Sequence, residues 1–101
     1  MTIETMTSKQ RFLAALNGEA LDRPCAASIT SVVNFELMDI VGSHFPEANT
    51  DPEPMAELAA SAHDVMGFDS VMPIFGIAQE ATALGCVVDF SDPGNLPTPQ
   101  Y

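Results

Sequence analysis

Basic residues are nearly absent from this chain of 101 residues: Lys9, Arg11 and Arg23 stand against 14 acids, for a formal net charge of -11. Nothing basic follows Arg23. A protein that grips a phosphate backbone needs several Lys or Arg to displace its counterions, so nucleic-acid binding has almost no electrostatic support. Anionic membrane surfaces are disfavoured for the same reason. No apolar run approaches the ~20 residues of a spanning helix, and the opening MTIETMTSKQ lacks the charged-then-apolar order of a signal peptide. The composition therefore reads as that of a cytoplasmic protein with no membrane partner. Cysteine is scarce too. Cys25 and Cys86 lie far apart within apolar surroundings, which fits reduced, packed thiols better than a disulfide framework. A phosphate-cradling loop is missing as well, because GFDSVMPIFG carries its glycines at the wrong spacing.

What is present is globular. Hydrophobic residues make up 47% and charged residues 17% of the chain, enough for one small domain that buries roughly 60 to 65% of its unfolded surface. Thr7, Ser8, Lys9 and Gln10 form a capping box, and Phe12, Leu13 and Leu16 recur at helical spacing until Asn17 and Gly18, predicting a helix over Ser8 to Asn17. Arg23-Pro24 forces an extended entry to a first strand over Cys25 to Thr30. Phe35, Met38 and Val41 share one face of a short helix closed by Gly42, and SHFPEAN reads as a loop. Asp51, Pro52 and Glu53 open a longer helix whose buried stripe is Met55, Leu58, Ala59, Ala62, Val65 and Met66, with Gly67 as its stop. A second strand is expected over Asp69 to Pro73, a helix over Ile77 to Leu84, and a third strand over Cys86 to Phe90. The last eleven residues, SDPGNLPTPQY, hold three prolines and no periodicity and read as loop. The six methionines are spread over helix stripes and read as core filler more than as a partner groove.

This order belongs to the α/β class, with about three parallel strands joined by right-handed crossovers. Such a set is either a small open sandwich or the first staves of a barrel that takes about 250 residues to close.

The residues also carry a likeness. MTSKQRFLAALNGEALDRPCAASIT resembles the opening of the uroporphyrinogen decarboxylase superfamily, with Lys9, Arg11, Ala15, Leu16, Gly18, Asp22, Arg23 and Pro24 at or near the places of its K-x-R-x-x-x-A-L-x-G-x-x-x-D-R-x-P pattern. ELMDIVGSHFPEANTDPEPMAELA, AHDVMGFDSV and QEATALGCVVDF resemble one branch of it, the methylcobamide:coenzyme M methyltransferases and related corrinoid-dependent enzymes. The likeness runs from Thr7 to Phe90. It implies that residues 1–101 are the N-terminal part of a TIM (β/α)8 barrel not closed within this chain, with 7–90 matching and 91–101 a loop.

In such barrels the chemistry sits at the C-terminal ends of the strands. For the first strand these are Thr30, Ser31 and Asn34; for the second, Pro73, Phe75 and Gly76, with Glu80 at the start of the next helix. They are candidate substrate-binding residues. None is a nucleophile beside a base, so no catalytic residue is assigned. Thr30, Ser31 and Asn34 fit equally the plainer part of capping the next helix, and Glu80 that of complementing a helix dipole.

The resemblance implies a methyl transfer from a methylated corrinoid, free or on a corrinoid protein, to a thiol such as coenzyme M. It also implies a zinc held by a His-x-Cys pair and a distant cysteine, neither of which this sequence contains. His44, His63, Cys25 and Cys86 are not at ligand spacing and read as loop, helix and core residues. The chain alone is thus expected to be inactive. A decarboxylase-type enzyme acting on tetrapyrroles is the alternative, but the resemblance places arginines just after the first strand of decarboxylases, where this chain has SITSVVNFEL. The non-enzymatic alternative is a truncated α/β module that pairs its open sheet edge with another chain or a second copy.

Overall fold

A computed structural model describes residues 3–73, 75–92, 94 and 97–100. The element order is α1 (Ser8–Leu16), α2 (Phe35–Val41), α3 (Glu47–Thr50), α4 (Pro52–Asp64), α5 (Gln79–Ala83), β1 (Val88–Asp89) and β2 (Thr98–Pro99).

The helix ends follow local chemistry. At α1 the Thr7 hydroxyl accepts from the Gln10 N–H at 3.2 Å, and Gln10 Oε1 accepts from the Thr7 N–H at 2.9 Å, completing the capping box. Asn34 Oδ1 accepts from the Leu37 N–H at 2.8 Å to start α2, and Gly42 ends it at φ 75°, a left-handed conformation that costs other residues strain. Asp51 caps α4 through the Glu53 N–H, with Pro52 at the first position. Where SHFPEAN reads as loop, the chain passes a cis Phe45–Pro46 bond and forms the single turn α3, burying Ala48 and Asn49.

The core lies where α2, α3 and α4 meet: Leu37, Met38, Phe45, Ala48, Leu58, Ala59 and Phe75, flanked by Val32, Val33, Val41 and Met55. Phe45 and Phe75 stack edge to face with ring centroids 5.7 Å apart. Two expected stripes are corrected here. On α1 the buried residues are Arg11 and Ala14 while Leu13 and Leu16 are exposed, and beyond the end of α4 Val65 and Met66 are exposed.

The three-strand parallel sheet is also corrected. Residues 25–30 and 69–73 do run side by side in the same direction, but one backbone hydrogen bond and several from side chains join them where a regular ladder was expected. The Asp69 N–H donates to the Ala26 carbonyl at 2.6 Å. Asp69 Oδ2 accepts from the Ala26 N–H, and the Ser70 hydroxyl both donates to the Ser28 carbonyl and accepts from its N–H. Asp and Ser side chains compete for backbone groups in this way and displace regular pairing. The third segment does not join them. Val88–Asp89 pairs antiparallel with Thr98–Pro99, inside the tail read as loop, with Val88 opposite Pro99 and Asp89 opposite Thr98. Among the described residues this hairpin is the one regular ladder. The expected helix over Ile77 to Leu84 shortens to α5.

The molecule is elongated, 51 × 29 × 19 Å, with a radius of gyration of 16.2 Å, against about 13 Å for a compact chain of this length. Much apolar surface stays in water as a result, including Ile29, Ile77, Leu84 and Val87. No described helix is long and apolar enough to cross a membrane.

Candidate functional site

The two parallel segments have chemically opposite ends. At the starting end, Arg11 sits 1% exposed inside a cage of acceptors. Its Nε and Nη2 donate to the two oxygens of Asp22 at 2.7 and 2.9 Å, its Nη1 to Asp69 at 2.6 Å, and its Nη2 also to the Met6 carbonyl at 2.7 Å. Arg23 donates to both oxygens of Asp69, at 2.9 and 3.0 Å, and to Glu4 at 2.6 Å. Bidentate, charge-assisted geometry of this kind fixes orientation as well as energy.

The electrostatics follow from the contacts. The hydrogen bond from Arg11 holds the Asp22 carboxyl far below the usual carboxylate range, against the opposing effect of burial and with help from the Met6 and Thr5 N–H groups. For Asp69 burial pushes the other way, but hydrogen bonds from Arg23, the Ala26 amide and Arg11 outweigh it and keep the carboxyl well below its ordinary value. Arg11 is raised, chiefly by Asp22. Every member of the cluster is engaged by a hydrogen-bond partner, and together they tie α1 to both segments.

The finishing end is a hollow of about 390 Å3, lined by Ile29, Thr30 and Ser31 from the first segment and Met72, Phe75, Gly76 and Ile77 from the second. Four of the sequence-predicted site residues, Thr30, Ser31, Phe75 and Gly76, meet here. Three do not. Asn34 is taken up as the α2 cap, Glu80 is exposed in the first turn of α5, and Pro73 lines a different hollow of about 420 Å3 beside Ala56, Ala59, Ala60 and His63. Phe75 serves two masters, since it is 2% exposed and also belongs to the core. The lining residues that sequence reasoning passed over are Ile29, Met72 and Ile77. Their signal was an aliphatic residue immediately beside each strand end.

The described residues do not fit a zinc site. No group of three or more His, Cys, Asp or Glu is placed to hold a metal ion among them. His44 Nε2 pairs with Asp39 at 3.0 Å, and His63 Nδ1 donates to the Phe68 carbonyl at 2.7 Å. Cys25 is half-buried and Cys86, read as a packed thiol, is exposed past the stop at Gly85.

The family model for uroporphyrinogen decarboxylase (URO-D) matches residues 7–100. The chain belongs to this family. Arg11, Asp22 and Arg23, three of the motif residues at its opening, are thereby explained as the buried cage. Among known proteins it is similar to the methylcobamide:CoM methyltransferase MtbA of Methanosarcina acetivorans, 38% identical over 86 residues that make 85% of this chain and 25% of the relative. It is also similar to a methylated-thiol–coenzyme M methyltransferase of Methanosarcina mazei, 36% identical over 94% of this chain and 26% of the relative. A solved methyltransferase from Methanosarcina mazei superimposes with a TM-score of 0.82 at 38% identity, covering 94% of this chain and 28% of that one. The chain thus spans about a quarter of the length of the curated relatives it matches.

Both arginines lie at the end opposite the hollow, engaged with Asp22, Asp69 and Glu4.

Proposed function

We propose that this chain forms one wall of the substrate pocket in a (β/α)8-barrel enzyme that moves a methyl group from a methylated corrinoid to a thiol such as coenzyme M. The observation that carries the reading is the hollow where the two parallel segments end, lined by two hydroxyl residues and four apolar side chains and lacking any cation. Support also comes from relatives that bear such activities in their names and match nearly the whole chain.

In this reading Thr30 and Ser31 orient the thiol substrate, and Met72, Phe75 and Ile77 keep water away from it. A hollow of about 390 Å3 suits a small molecule; a corrin macrocycle would approach from the open side. Zinc would bind a thiol as its thiolate, but the residues that hold it are not among those described, so no step is assigned to this chain. The elongated shape and exposed aliphatic residues agree with a wall that needs further polypeptide to be covered.

The test is a chimera in which these residues replace the matching quarter of the Methanosarcina acetivorans methyltransferase. The chimera should demethylate methylcobalamin with coenzyme M as acceptor, while the 101-residue chain alone should do nothing. Turnover by the isolated chain, or decarboxylation of uroporphyrinogen by the chimera, would overturn the proposal.

A further inference from the structure

Helix α1 meets the rest of the molecule with little apolar packing. Of its side chains Arg11 and Ala14 are buried, while Leu13 and Leu16 are 47% and 69% exposed. No residue of α1 belongs to the core around Leu58 or to the aliphatic residues packed against it. Residues 4–22 are instead tied to themselves. Asp22 accepts from the Thr5 and Met6 N–H groups at 2.8 and 2.9 Å and from both Nε and Nη2 of Arg11, so one carboxylate joins the opening residues, α1 and the segment after it. The Met6 carbonyl accepts from Arg11 as well.

The ties from this unit to the body converge on a second carboxylate. Asp69, its side chain shut off from water, accepts from Arg11 Nη1 at 2.6 Å, from Arg23 at 2.9 and 3.0 Å and from the Ala26 N–H at 3.0 Å. An outer ion pair between Glu4 and Arg23 is open to water on the Glu4 side and adds little. Arg23 and Pro24, which lead from the unit into the first segment, lie outside any helix or strand. A unit closed upon itself and docked at one charged point opens more readily than a core held by many apolar contacts, because its release uncovers little apolar surface.

We infer that residues 4–22 form an arm that swings away from the α2–α4 body as a unit, with the Asp69 carboxylate as its latch. Opening leaves the Asp22 ties inside the arm and the Leu37, Leu58 and Phe75 core in place, and it carries Arg11 into water. Arg23 stays with Asp69, so the latch keeps a charged partner when the arm is away, which makes release less costly than stranding a bare buried charge. The arm lies at the starting end, away from the hollow, and the inference does not rest on the methyl-transfer reading.

The experiment is amide hydrogen exchange of the 15N-labelled chain over a series of low urea concentrations. In the native chain the α1 amides should be protected at least tenfold less than those of α4 and should respond more weakly to urea, since arm release exposes less surface than unfolding. Asp69→Asn keeps the size of the latch and removes its charge. It should lower the protection of α1 by about a hundredfold or abolish it. The α4 amides should lose no more than the factor by which α1 was protected in the native chain, because beyond that the open form is the ground state. Glu4→Ala, which removes the outer pair alone, should change α1 protection by less than about fivefold. Equal protection and equal urea dependence of α1 and α4 in the native chain would overturn the inference, and that comparison involves no substitution. So would an Asp69→Asn chain in which α1 stays protected, or in which α1 and α4 lose protection together.

Discussion

Arg11 and Asp69, 58 residues apart in the chain, meet in a hydrogen bond of 2.6 Å with both side chains shut away from water. This contact joins α1 to the start of the second segment, and Asp22 and Arg23 close the cage around it. Removing one partner of a buried pair strands the other, which costs far more than the pair contributes net. Arg11→Met should therefore lower the melting temperature by roughly 10 °C or more. Arg11→Lys should not restore it, because an ammonium cannot reproduce the bidentate fork to Asp22. Thermal unfolding followed by circular dichroism checks both.

Acid should act through the same cage. The carboxyls of Asp22 and Asp69 titrate lower in the folded chain than the ~3.9 of an unfolded one. Their stabilisation is fully present above the unfolded value and is lost as pH falls through it toward the depressed folded values. Urea midpoints of the native chain and of Asp22→Asn should differ most between pH 5 and 7 and converge toward pH 2. The comparison between the two matters more than either curve, since protonating the other acids relieves self-repulsion and works in the opposite direction. Parallel curves would contradict the assignment.

The helical layer should answer as a packed core does. Leu58 is fully buried between α4 and the α2–α3 side, so Leu58→Ala should cost about 2 to 5 kcal/mol in urea unfolding.

Asn34 separates capping from binding. Its side chain accepts from Leu37 and is absent from the lining of the hollow. Asn34→Ala should cost about 1 kcal/mol of stability and leave kcat/KM of the chimera for coenzyme M unchanged.

Features decided by neighbours in the chain were legible in the sequence. The Thr7–Gln10 box, the Asp51–Pro52 start and the left-handed stops at Gly42 and Gly67 each depend on a few adjacent residues, and each stands where the sequence implies. Features decided across distance were not. Arg11 reads as one more polar residue on a helix until Asp22 and Asp69 are brought to it, so its burial and the exposure of Leu13 were hidden. The parallel strands dissolve because Asp69 and Ser70 spend their side chains on the backbone of Ala26 and Ser28. Pro99 reads as a breaker, yet a proline is tolerated where a two-residue ladder needs no donor from it, and so β2 lay concealed in the tail. At the site, strand-end logic found Thr30, Ser31, Phe75 and Gly76. It passed over Ile29, Met72 and Ile77, which stand immediately beside the strand-end residues it named.

The most direct measurement is kcat/KM for methyl transfer to coenzyme M in the chimera carrying Ser31→Trp, a bulky side chain set into the hollow. The account predicts a fall of tenfold or more with little change in melting temperature, since Ser31 lies outside the buried core. An unchanged kcat/KM would show that substrate does not meet this wall.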